Sequence, residues 1–89
     1  MLAFKLLEFG KIRLISQTFE NVGDILPMHN HLNDPTYTHI TIVSKGSFIM
    51  RGKGWEKTVF AGDIIDWQPE IFHEFESLEV NSKLANITK

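Results

Sequence analysis

The sequence predicts an all-β protein, a small double-sheet antiparallel β-barrel. Three observations lead there. No helix-length pattern of period 3.6 survives the six glycines and three prolines. Short runs of β-branched and aromatic residues recur between turn signals, as strands require. These runs are too short for an open sheet with both edges exposed, so closure into a barrel is the economical way to remove the edges.

Residues 12–19 form the first certain strand, and no strand is assigned to the apolar segment before it. Asn21-Val22-Gly23-Asp24 is a turn, and residues 25–31 a strand. Asn33-Asp34-Pro35 then turns the chain at the barrel mouth. Residues 38–44 show the clearest alternation, with His39, Thr41 and Val43 on one face and Thr38, Ile40 and Ile42 on the other. Lys45-Gly46 turns into a strand at residues 47–51. Gly52-Lys53-Gly54 is a hairpin loop, assigned to the end away from the mouth, and leads into a strand at residues 55–60. After Ala61-Gly62-Asp63, strands are expected at residues 64–68 and 72–75, and a last one at 84–88 closes one sheet beyond the polar loop 76–83. No repeat, linker or low-complexity segment divides the chain, so residues 1–89 read as a single domain.

Nine basic residues against eleven acidic ones leave no basic block, and no aromatic-basic interleaving marks a nucleic-acid surface. Nucleic acid is therefore not an expected partner. With no cysteine, disulfides, thiolate nucleophiles and Cys-type zinc sites are excluded, and imidazole and carboxylate are the strong ligands that remain. Lys5 and Glu8 interrupt the apolar opening before a signal core or membrane span forms, so a soluble cytoplasmic chain is expected, with no membrane partner.

The four histidines carry the chemistry. His29 and His31, two apart on a strand, point to the same face and can present two imidazoles side by side. Any one histidine alone is ordinarily a core or surface imidazole satisfied by a carbonyl. These four, however, share a frame: Gly23 five residues before His29-Asn30-His31, His39 six residues before Gly46, then Gly62-Asp63 and Pro69 leading to His73. This pattern resembles the cupin superfamily, specifically small single-domain barrels of the cupin-2 kind, over residues 12–75. In that family the first motif reads Gly, five residues, His-x-His, a short gap, Glu, six residues, Gly, and the second reads Gly-Asp, a proline-containing turn, then His. Here His39 stands at the glutamate position, the loop 32–38 is longer than the usual gap, and the stretch from Pro69 to His73 is one residue shorter and lacks its glycine. The resemblance implies a jelly-roll barrel with a four-histidine metal site at His29, His31, His39 and His73.

Four buried imidazoles without a metal would cost about 1–3 kcal/mol for each unsatisfied polar group, and a divalent ion removes that cost. Nitrogen ligands suit a divalent transition metal, iron(II) or manganese(II) by preference with zinc, nickel or copper as options, and argue against calcium and magnesium. Neutral imidazoles leave the ion its full charge, which favours anionic or chelating oxygen ligands. The expected function is that of a small metalloenzyme, an oxygenase or related oxidoreductase acting on a small oxygenated organic molecule. A non-catalytic metal- or ligand-binding protein and a metal-dependent isomerase or lyase are the alternatives; the last needs an acid or base that Tyr37, Asp34 or Asp66 would provide. Tyr37 and Asp34, in the mouth loop, are the catalytic candidates, and Phe48, Met50, Trp67 and Phe75 are candidates to line a substrate pocket. Asp63 is read as a turn cap, and Glu74 and Glu76 as a solvated face opposite His73 and Phe75. A chain this short, with Ile40 and Ile42 turned away from the metal face and an apolar N-terminal segment, is expected to pair as a homodimer that buries both.

Overall fold

The computed structural model describes residues 2–29, 39–68 and 71–88. These form nine strands: β1 (Leu2–Phe9), β2 (Ile12–Phe19), β3 (Ile25–His29), β4 (His39–Lys45), β5 (Ser47–Gly52), β6 (Trp55–Phe60), β7 (Ile64–Trp67), β8 (His73–Ser77) and β9 (Ser82–Thr88). Every pairing is antiparallel, in a five-stranded sheet of order β1-β2-β9-β4-β7 and a four-stranded sheet of order β3-β8-β5-β6. The architecture is thus an all-β double-sheet barrel of the jelly-roll type. No helix among the described residues is long and apolar enough to cross a membrane.

Alternation builds the core. On β4 the buried positions are His39, Thr41 and Val43; on β8 they are His73, Phe75 and Ser77; on β9, Ser82, Leu84, Asn86 and Thr88. Phe19, Val43, Phe48, Met50, Val59, Trp67, Phe75 and Leu84 fill the space between the sheets. Phe48 meets Phe19 edge-on at 4.8 Å between ring centroids and Phe75 at 6.0 Å. Glu74 and Glu76 lie on the outer face, where both accept hydrogen bonds from Arg51 Nη1, at 3.1 and 2.9 Å, while Arg51 Nε donates to Glu56 at 2.9 Å.

β1 is a strand to which the sequence reading assigned no structure. It pairs along its whole length with β2, from Leu2 opposite Phe19 to Phe9 opposite Ile12. Its Leu6-Leu7 pair breaks the alternation that would have marked it, so its strand character comes from β2 and not from its own pattern.

Two turn glycines set the frame. Gly46 (φ 77°) and Gly62 (φ 100°) take left-handed conformations that a side chain resists. A Cβ at Gly46 would also collide with the Ser82 side chain, whereas Gly62 faces open space. Asp63 caps its turn as expected, its carboxylate accepting from the Phe60 N–H at 2.8 Å.

One placement differs from the sequence reading. Because β5 runs antiparallel to β8 with Arg51 opposite Glu74, the end of β5 lies beside the start of β8. The hairpin Gly52-Lys53-Gly54 therefore sits at the histidine end, not away from it, and Lys53 Nζ lies 3.8 Å from the centroid of the Phe72 ring.

Candidate metal centre

His39 begins β4, His73 begins β8 and His29 ends β3, so three strand termini from both sheets meet at one end of the barrel. His29 reaches the inner face through a β-bulge. Leu26 opposes Phe75 in regular register, which would set Met28 opposite His73; the register shifts between Leu26 and His29, and His29 takes that place instead. Pro27 falls in the irregular stretch, where its missing N–H costs no ladder bond, and β3 is an edge strand.

The His29 and His73 ring centroids are 4.4 Å apart, and those of His39 and His73 are 5.8 Å apart. Two imidazoles bound to one ion at about 2.1 Å hold their centroids roughly 4.5–6 Å apart; the His39–His73 separation falls in that range and the His29–His73 separation just short of it. Trp67 stacks on His73 at 3.9 Å and 19°, which fixes the ring from behind. His39 is 6% exposed and His73 1%. Burial pushes the His39 pKa below its ordinary value; a hydrogen bond to Asn86 opposes the shift, and the nearby His29 adds to it.

The hydrogen bonds decide which nitrogen each ring offers. His29 Nδ1 lies 2.8 Å from the Pro27 carbonyl oxygen, and His73 Nδ1 lies 3.1 Å from that of Ile71. A carbonyl only accepts, so Nδ1 carries the proton in both rings and Nε2 carries the lone pair of the neutral imidazole. His39 Nε2 lies 2.9 Å from Asn86 Oδ1, which makes Nδ1 its lone-pair nitrogen. Each of these three histidines therefore donates one N–H to an oxygen, as metal-ligating histidines do. In donor chemistry the set fits a first-row divalent ion. No group of three His, Cys, Asp or Glu side chains among the described residues is spaced to hold an ion as it stands. His31, Asp34 and Tyr37 lie outside the described residues.

The three histidines open on a cavity of about 100 Å³, lined also by Ile15, Gln17, Leu26, Phe75, Asn86 and Thr88. Of the residues expected to line a pocket, Phe75 does so. Trp67 sits behind His73, and Phe48 and Met50 pack in the core between the sheets. Asp66 is exposed on β7. Sequence reasoning missed Gln17, Asn86 and Thr88. Their signal was a polar residue at an inward position of an alternating strand, where an apolar one is usual.

No family model and no curated protein matches the sequence. Solved structures do match in shape. KdgF from Halomonas sp. superposes with a TM-score of 0.84 at 18% identity, over 98% of this chain and 78% of that one. An RmlC-like cupin from Desulfovibrio desulfuricans gives 0.83 at 19% identity, over 98% and 80%. A Cupin 2 conserved barrel domain protein from Salinispora arenicola gives 0.82 at 15% identity, over 98% and 74%. The chain has the cupin fold. Within that fold, His29, His39 and His73 occupy one end of the barrel, around its cavity.

Proposed function

We propose that this protein is a mononuclear metal-binding cupin in which His29, His39 and His73, with His31, hold one divalent transition ion, iron(II) or manganese(II) by preference. It acts as an oxygenase or related oxidoreductase on a small oxygenated organic molecule. The observation that carries the metal reading is the tautomer pattern: three histidines from three strands each give one N–H to an oxygen, which leaves a lone pair on the other nitrogen of each ring. When bound, the ion supplies Lewis acidity and, for iron or manganese, redox capacity.

The chain's own residues bind and orient the substrate. Gln17 and Thr88 provide an amide and a hydroxyl group at the cavity wall, beside the apolar surface of Ile15, Leu26 and Phe75. The cavity measures about 100 Å³, below the 300–1,000 Å³ usual for drug-sized ligands, which supports a small substrate.

The test loads metal-stripped protein with iron(II) and follows oxygen uptake against a panel of small diketones, phenols and thiols. Iron-dependent oxygen uptake with a panel member supports the reading. Turnover without oxygen makes the protein an isomerase or lyase, and metal uptake with no turnover of any kind makes it a binding protein. No rise in thermal midpoint with any first-row metal removes the metal site itself.

A further inference from the structure

We infer that Asn86 is a positioning residue for this centre: with Thr41 and Trp67 it locks His39 as the Nε2–H imidazole, so that His39 enters the ligand set through Nδ1 while His29 and His73 enter through Nε2. The inference rests on the metal-binding reading above. It follows from a chain of hydrogen bonds whose direction is forced at one end. The Trp67 indole can only donate, and its Nε1–H lies 2.9 Å from Thr41 Oγ1. The threonine proton then goes to Asn86 Oδ1, at 2.6 Å, a length proper to O–H···O and short for N–H···O. The amide oxygen is the atom facing Thr41 and His39. The amide nitrogen turns the other way and donates to Gln17 Oε1 at 2.8 Å. Asn86 Oδ1 therefore meets His39 Nε2 as an acceptor, and the ring must bring a hydrogen to it.

The members are buried, Thr41 fully and Gln17, Trp67 and Asn86 to within 7% exposure. The opposite tautomer would set a nitrogen lone pair against the amide oxygen. Register holds the geometry: Thr41 is directly opposite Asn86, and His39 opposite Trp67. The buried polar residues at Thr41 and Asn86, costly in a core, thereby gain a role that packing alone does not give them.

The test begins with metal-free protein labelled with 15N-histidine, at mildly alkaline pH. Long-range proton–nitrogen NMR correlations should show His39 as Nε2–H and His29 and His73 as Nδ1–H. In Asn86→Ala, His39 should lose its single tautomer and cobalt(II) affinity should fall about 10–100-fold. Asn86→Asp keeps the acceptor oxygen and should restore both. Thr41→Val, close in shape, should give a smaller loss in the same direction and stands in where Asn86→Ala fails to fold. His39 found as Nδ1–H in the native protein, or an Asn86→Ala variant with unchanged tautomer and cobalt affinity, overturns the inference even if metal binds tightly. The expected tautomers with no cobalt or zinc binding overturn the metal reading, and with it the ligand role of His39, while leaving the tautomer assignment standing.

Discussion

His39 shows how one side chain links burial to pH. Its imidazole is driven toward the neutral form by burial, against the Asn86 hydrogen bond and with the help of His29. The folded protein therefore binds fewer protons than the unfolded chain once pH falls below the ordinary value of 6.5, and stability falls with it, as the sign of the linkage requires. Urea melts of metal-free protein at neutral and mildly acidic pH should show this loss, and His39→Gln should flatten it; an unchanged slope in that variant would place the titrating group elsewhere. His39 was legible as an inward residue because it alternates with Thr41 and Val43. Its partner Asn86 was not, since the two are 47 residues apart in sequence.

Among the elements, β3 decides whether the centre has a second ligand strand. Plain alternation read back from His29 puts Pro27 and Ile25 on its face, yet the structure sets Leu26 and His29 together against Phe75 and His73. The bulge makes the difference, and it depends on pairing with β8, which no local pattern encodes. Deleting Met28 should restore regular register and still leave the histidine inward, opposite His73; zinc titration should then show retained binding in a protein whose circular dichroism is unchanged. Lost affinity would mean that the bulge itself, and not only the pairing with His73, places His29 in the site. The turns give a second comparison. Gly62→Ala should cost only the left-handed conformation, about 1–2 kcal/mol. Gly46→Ala adds the collision with Ser82 and should cost more, about 3 kcal/mol, in equilibrium unfolding. Equal losses at the two positions would refute the close approach.

At the scale of the whole molecule, the outer face of the five-stranded sheet is the feature to explain. Leu7 pairs with Leu14, Leu14 with Ile87 and Ile87 with Ile40, one apolar row across four strands. Ala85, Ile42 and Ile64 form the next row, and Ile64 is 66% exposed. This places Ile40 and Ile42 on the same surface as the N-terminal strand. We propose that a second copy covers this face by packing sheet on sheet, so that the protein is a homodimer. Light scattering should give twice the chain mass, and Leu14→Asp with Ile42→Lys should yield a monomer that keeps its metal. A native monomer at micromolar concentration refutes the pairing.

What the sequence determined by itself was local: the all-β class, most strand limits, the inward faces of β4 and β8, and the turns at Gly46 and Gly62. Each rests on a period of two or on a backbone angle, which neighbouring residues specify. Only the tertiary structure decided the bulge that turns His29 inward, the bond from Asn86 to His39, and the hairpin at Lys53 lying beside His73 and not away from it. These follow from the register between strands distant in the chain, and register is settled when whole faces pack together and not by any single run of residues.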